Sequence, residues 1–240
     1  MSLLSTEGLT KHFGGVAAVE DLTFALREGE ILGLIGPNGS GKTTALNMLS
    51  GFLAPDRGRV WLAGEEVTGL KPVALARRGL LRMFQTTRVF GRISAFDNLL
   101  TAGLARGLRE DEARERASGL LAELTLANVQ YLDAGRLSGG QRKLLEFGMC
   151  FVAPPRVALL DEPFAAVHPV MRETMAGFIR RRNSQGHTFL VVSHDMPIVV
   201  DLCQRTACMN AGRLIAIGPT REVLKDAAVI EAYLGSGTHA

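Results

Sequence analysis

An apolar run that breaks into glycines and then into Lys42, Thr43 and Thr44 constrains this chain more than any other stretch: residues 31–44 read ILGLIGPNGSGKTT. Ile31 to Ile35 carry no charge, as expected of a strand buried on both faces of a parallel sheet. Gly36, Gly39 and Gly41 remove side chains where the backbone must curl tightly and aim successive N–H groups at one point. Phosphate suits that point. The following helix offers unpaired N–H groups and the positive end of its dipole, Lys42 reaches the β and γ positions, and Thr43 supplies a hydroxyl of the kind that binds magnesium. A glycine turn can precede a lysine by accident. Here a strand leads in and a helix follows, with Ala45, Leu46 and Leu49 inward and Gly51 closing it. The stretch therefore predicts a nucleoside triphosphate held by Gly36, Pro37, Asn38, Gly39, Ser40, Gly41, Lys42, Thr43 and Thr44, without saying what hydrolysis drives.

The 240 residues, 47% hydrophobic and 21% charged, suit one large α/β domain, or a core with a smaller subdomain. A net charge of +3 is too small to argue for nucleic acid, though it is compatible with an anionic membrane surface. Cys150, Cys203 and Cys208 are odd in number and form no CxxC pair, so a reducing compartment fits them better than a disulfide framework, with Cys203 and Cys208 as ordinary buried thiols. A metal site from Cys203, Cys208 and a histidine is the weaker reading. No stretch approaches 18 consecutive apolar residues, and MSLLSTEGLTKHF lacks the basic start and long apolar centre of a signal peptide. The expectation is a cytosolic chain; any membrane part belongs to another polypeptide.

Residues 2–27 read as short strands around Val16–Val19 and Leu22–Leu26, and residues 58–68 as a hairpin, together suggesting a small antiparallel sheet. Phe13, just before Gly14-Gly15, is a core aromatic or a flat platform for a purine ring. From about 88 to 150 the pattern is helical. Ala113, Ala117, Leu120, Leu121 and Leu124 form one face, and Arg109, Glu110, Glu112, Arg114, Glu115 and Arg116 a solvated one. Residues 157–160 and 188–192 read as short buried strands joined by a helix over 170–183. RTACMNAGRLIAIG reads as a hairpin through Asn210-Ala211-Gly212, followed by short helices to Leu234.

VALLDE, residues 157–162, delivers two adjacent carboxylates at the end of an apolar strand. Adjacent side chains diverge, so Asp161 can bind magnesium, directly or through its water, while Glu162 takes a proton from the attacking water. LSGGQ, residues 137–141, offers a second anion site: Ser138 is a natural N-cap, and Gly139 and Gly140 leave backbone amides uncovered. A single bound nucleotide has no obvious use for it.

The phosphate loop at 36–43, Gln85, LSGGQ, VALLDE and His194 after a buried strand resemble, in order and spacing, an ABC-type ATPase domain over essentially the whole chain. The resemblance implies an α/β fold: a phosphate-loop (RecA-like) parallel sheet core, formed by 1–87 and 154–240 with an antiparallel β subdomain, and an inserted α-helical subdomain over 88–153. It implies ATP and Mg2+ as ligands and a head-to-tail dimer in which Ser138 and Gly140 contact the γ-phosphate bound by the other subunit. It further implies that Phe13 stacks on adenine, that Gln85 reaches magnesium and the attacking water, and that His194 donates to the γ-phosphate. His168 stands where the family usually carries an aspartate across the dimer interface.

FGGVAAVEDLTF (13–24), GPNGSGKTTALNMLSGF (36–52), MFQTTRVFGRISAFDNLL (83–100) and the terminal VIEAYLG (229–235) look like importer ATPases for branched-chain amino acids. The last is the most telling, because catalysis does not require it. Ser193 in place of a usual glutamate and Ala166-Val167 in place of glycine-leucine depart from that group, and LLEFGM (144–149) is also similar to urea and amide importer relatives. These resemblances imply an importer subunit at the cytoplasmic face of a bacterial inner membrane. Its partners would be transmembrane permease subunits docking near Thr86–Ser94, a second ATPase that is a paralogue or a second copy, and, indirectly, a periplasmic or extracellular solute-binding protein. A non-transport ABC ATPase such as a cluster-assembly accessory is the alternative; a chromosome-type member would need a long coiled coil before LSGGQ, and no heptads appear there.

Overall fold

The computed structural model describes residues 2–165 and 167–235. Two long strands, β1 (Ser2–Phe13) and β2 (Val16–Arg27), pair antiparallel through the Gly14-Gly15 turn. They are longer than the short strands expected from the sequence. The reason is local: register shifts interrupt β1 between Thr6 and Leu9 and between Leu9 and Lys11, and Gly8 and Asp21 take positive φ, so apolar alternation breaks while pairing continues. After β3 (Ile31–Ile35) and helix α1 (Lys42–Leu49), β4 (Arg57–Leu62) and β5 (Glu65–Glu66) complete a four-stranded antiparallel sheet, ordered β2-β1-β4-β5.

Helix α2 (Pro72–Arg77) leads into β6 (Leu80–Met83). Helices α3 (Ala95–Ala105), α4 (Glu110–Glu123) and α5 (Gly139–Phe151) fill the predicted helical stretch. The exposed face of α4 carries the i,i+4 pairs Glu110–Arg114 and Glu112–Arg116, as a solvated face should. Next come β7 (Val157–Asp161), α6 (Pro169–Ser184), β8 (Thr188–Val192) and α7 (Met196–Leu202). The hairpin β9 (Arg205–Asn210) and β10 (Arg213–Pro219), then α8 (Thr220–Val223) and α9 (Ala227–Gly235), complete the described chain.

The second sheet is six-stranded, β10-β9-β3-β8-β7-β6, parallel except for its β9–β10 edge. Its central strands are apolar except at their ends, Asp161 of β7 and Thr188 of β8, because both faces are covered. Ile31, Ile35, Ala158, Leu160, Phe189 and Val191 face one core, shared with α3 to α6, whereas Leu32, Leu34, Val157, Leu159, Leu190 and Val192 face the other, shared with α1 and the antiparallel sheet. Phe147 and Phe151 of α5, tilted 4.9 Å apart, each pack edge-on against Phe178 of α6 at a centroid separation of 5.0 Å, and Phe151 reaches Phe189 of β8 at 5.9 Å. The helix that follows LSGGQ is thus fastened directly to the parallel sheet. Cys203 and Cys208 are buried free thiols, and no cluster of metal-ligating side chains occurs among the described residues.

Candidate nucleotide site

Strand β3 ends at the bottom of a cleft of about 470 Å³, lined by Asn38, Gly39, Ser40, Gly41, Lys42, Thr43, Thr44, Gln85, Asp161 and Glu162, with Val16–Ala18 and Ala211 on its rim. Parallel topology makes this convergence possible, because β3 and β7 run the same way and release their chains at the same edge. Gly36, at φ 147°, and Gly41, at φ 99°, hold conformations that side chains disfavour. A Cβ on Gly36 would overlap the Met209 carbonyl, and one on Gly41 the Ala18 carbonyl. Helix α1 starts at Lys42 with no side-chain cap and no acidic residue in its first turn. Its first internal bond is from the Ala45 amide to the Gly41 carbonyl at 2.9 Å, which leaves the earlier amides for an anion. The cradle therefore fits a triphosphate.

The Lys42 ammonium bonds the carbonyls of Gly36 and Pro37, each at 2.8 Å, and Ser40 Oγ at 3.3 Å. Burial lowers its pKa, an effect opposed by Glu162, Cys208 and Asp161. The loop is braced from outside by the β9–β10 turn, where the Gly212 amide donates to the Ser40 carbonyl at 3.1 Å. A second brace comes from α9: the Gly36 amide donates to Tyr233 Oη at 2.8 Å.

Asp161 ends β7 and is buried with Arg82 of β6; their side chains are 6% and 4% exposed and their charges 2.8 Å apart. Arg82 also donates to Asn47 Oδ1 at 2.6 Å and Ser50 Oγ at 3.2 Å, tying β6, β7 and α1 together. Its planar group lies over Phe84, 4.8 Å from the ring centroid. Glu162 follows at φ 50°, a left-handed conformation that costs a non-glycine residue about 1–2 kcal/mol. Its amide is held by the Val192 carbonyl at 3.0 Å, and its Oε2 lies 2.9 Å from Nδ1 of His194, which is 72% exposed. Ser193, unexpected in this place, accepts a bond from the Asp195 amide, and Asp195 both caps α7 and pairs with Arg172 at 2.8 Å. These bonds fix the turn carrying His194. Thr43, Gln85 and Asp161 together offer oxygen ligands of the hard kind that suit Mg2+.

Gln85 is reached from α5: Lys143 donates to its carbonyl at 2.9 Å. One turn further on, the buried Glu146 carboxylate accepts from the Arg88 amide. Ser138 caps α5 as expected, forming a reciprocal capping box with Gln141 at 3.2 and 2.9 Å. Gly140 sits against Met171, and Gly139 faces open space. None of the LSGGQ residues lines the cleft. Phe13, at the tip of the β1–β2 hairpin, is 53% exposed, beside Lys11 rather than in the core. His168 caps α6, accepting weakly from the Val170 amide at 3.4 Å, and Ala166 lies outside the described residues.

The sequence missed Arg82, Tyr233 and the Gly212 brace. A lone arginine in LLRMFQ reads as an exposed strand position, and backbone bonds to distant turns leave no residue-type signal. Tyr233 falls within VIEAYLG, the one stretch that could have pointed to it.

A sequence model described as ABC transporter matches residues 19–165, and one described as branched-chain amino acid ATP-binding cassette transporter matches residues 213–239. The chain is 35% identical, over 97% of its length and 98% of the relative's, to the high-affinity branched-chain amino acid transport ATP-binding protein BraF of Pseudomonas aeruginosa. It is 32% identical, over 98% of both chains, to the lipopolysaccharide export system ATP-binding protein LptB of Haemophilus influenzae. A crystal structure of the ADP conformation of an ATP-binding cassette of an ABC transporter superposes with a TM-score of 0.89 at 32% identity, covering 98% of this chain and 99% of that one.

Proposed function

The chain belongs to the ABC transporter ATP-binding family, and from that premise we propose that it powers uptake of branched-chain amino acids or a related small solute through a separate permease. It is an ATP-hydrolysing transporter subunit that works with permease partners. No helix among the described residues is long and apolar enough to cross a membrane. It sits on the cytoplasmic face of its permease and forms a head-to-tail dimer with itself or a paralogue. Residues 88–153 present LSGGQ as the helical subdomain, and a solute-binding protein delivers cargo on the other side.

In this reading the loop amides and Lys42 hold the β and γ phosphates, Phe13 meets the adenine, and Thr43, Gln85 and Asp161 hold Mg2+. When bound, the ion neutralises phosphate charge. Glu162 accepts the proton of the attacking water, and His194, whose Nδ1 lies 2.9 Å away, orients that carboxylate and, as an imidazolium with both ring nitrogens protonated, donates through Nε2 to the γ-phosphate. Ser138 Oγ accepts from its own helix, yet its O–H remains able to donate to a partner's phosphate.

The match over residues 213–239 to a model described as branched-chain amino acid ATP-binding cassette transporter carries the import assignment, because it lies outside the phosphate loop, LSGGQ and VALLDE. Co-purification with the permease subunits encoded beside it, followed by reconstitution into vesicles, tests it: ATP should drive accumulation of leucine, isoleucine or valine. Urea or amide accumulation instead would reassign the cargo. Failure to bind any membrane protein would favour the cluster-assembly alternative.

A further inference from the structure

We propose that Tyr233, through its hydroxyl, positions the phosphate loop, making α9 a part of the nucleotide site and not merely a tail packed on the sheet. The proposal rests on the ATPase reading above. Gly36 is the pivot of the loop: its φ of 147° is open only to glycine, and its peptide groups are fixed on both sides. Its carbonyl accepts from Lys42 at 2.8 Å, and its amide donates to Tyr233 Oη at 2.8 Å. The first bond belongs to the loop itself. The second comes from a residue 197 positions later, so loop geometry depends on whether α9 is docked.

Helix α9 has nine residues, too few to hold helical form alone in water, so its order comes from docking. Its own Val229 and Ala232 are buried against the rest of the chain, and Asp226 accepts from the Ala228 amide at 2.8 Å at its start. Beside the bond to Gly36, a cleft of about 600 Å³ opens between helix and loop, lined by Pro37, Asn38, Asn210, Ile215, Ala228, Glu231 and Ala232. The helix therefore does not seal the loop by apolar packing along its whole length, and the Tyr233 hydroxyl bridges the two at Gly36. Burial pushes the Tyr233 hydroxyl up to about 12, opposed by the Gly36 amide, so it stays protonated across the physiological range.

Tyr233→Phe in the full chain removes one oxygen and keeps the ring. ATP affinity by calorimetry should weaken about 3- to 10-fold, the worth of one hydrogen bond that preorganises the loop. Gly36 amide exchange should quicken, while the unfolding midpoint without nucleotide moves by only a few degrees. Leu234→Ala, a change at an exposed neighbour on the same helix, should leave affinity unaltered. Unchanged affinity in Tyr233→Phe would overturn the proposal, and so would an affinity loss accompanied by a fall of more than about 10 °C in the midpoint, which marks general destabilisation. A wild-type chain that binds no ATP would overturn the nucleotide reading itself, and is told apart from the other outcomes by the wild-type titration.

Discussion

Arg82 and Asp161 show how a site residue is held before it does any chemistry. Both side chains are almost fully buried, and the pair is supported by the second guanidinium nitrogen of Arg82, which donates to Asn47 and Ser50, while its buried Nε has no hydrogen-bond partner among the described residues. Arg82→Met would leave the Asp161 carboxylate buried and unpaired, so urea denaturation should show a loss of about 3–5 kcal/mol. A loss under 1 kcal/mol would mean that water reaches the carboxylate. Glu162 poses the complementary case, since its left-handed backbone and its bond to His194 aim a base at the cleft. Glu162→Gln keeps shape and hydrogen bonding but cannot take a proton, so hydrolysis should fall at least about 100-fold while ATP still binds. Wild-type turnover in that variant would remove the general-base role. Lys42→Ala should weaken ATP binding in calorimetry, and undiminished affinity would count against the phosphate cradle. The two carboxylates were legible because an apolar strand ending in Asp-Glu behind a phosphate loop has few other uses. Arg82 was not, because one charged residue in a four-residue strand carries no periodicity.

At the level of elements, α5 links three parts of the molecule. Its N-terminus carries LSGGQ, its apolar face reaches Phe178 and Phe189, and its first turns grip residues 85–88 through Lys143 and Glu146. The sequence announced the capped start of this helix, but the grip needs two buried charges on a face that otherwise packs, and such charges look like solvated positions until the fold is known. Burial raises Glu146 from 4.5 to about 7, opposed by the Arg88 amide and by the charges of Lys143 and Arg88. The folded chain thus holds its proton more tightly than the unfolded chain does. The resulting stability is fully present below about pH 4.5 and is lost as pH rises through about 7, where a buried carboxylate remains. Glu146→Gln is neutral throughout and still offers an oxygen to the Arg88 amide. Relative to wild type it should gain up to about 3 kcal/mol between pH 5 and pH 8, measured by urea midpoints. Parallel profiles for the two proteins would show that Glu146 is charged and well solvated at both pH values.

Among the described residues, the cleft that holds Asp161 and Glu162 is not lined by any residue of LSGGQ. The capping box spends the Ser138 acceptor internally, and the amides of Gly139 and Gly140, at the first positions of α5, point outward from the helix start. In the proposed dimer, a second chain placed head to tail would supply the missing phosphate to each face. Glu162→Gln should therefore run in light scattering near 25.8 kDa without ATP and near twice that mass with it, or do so only once a paralogous ATPase is added. Gly139 gives this prediction a sharper form. A Cβ there meets nothing within 4 Å, its φ is not positive and the position is exposed, so Gly139→Trp starts into open space in the isolated chain and would fill the space that a partner's nucleotide needs in the proposed dimer. Placed in the Glu162→Gln background, it should leave ATP affinity of the monomer within about twofold and abolish the ATP-dependent doubling of mass. Gly140 would be the wrong choice, because a Cβ added there would press on Met171 and disturb α6 within the same chain. If the Trp variant still dimerises on ATP, the two chains meet through some other surface, and LSGGQ is a capped helix start with no phosphate to bind.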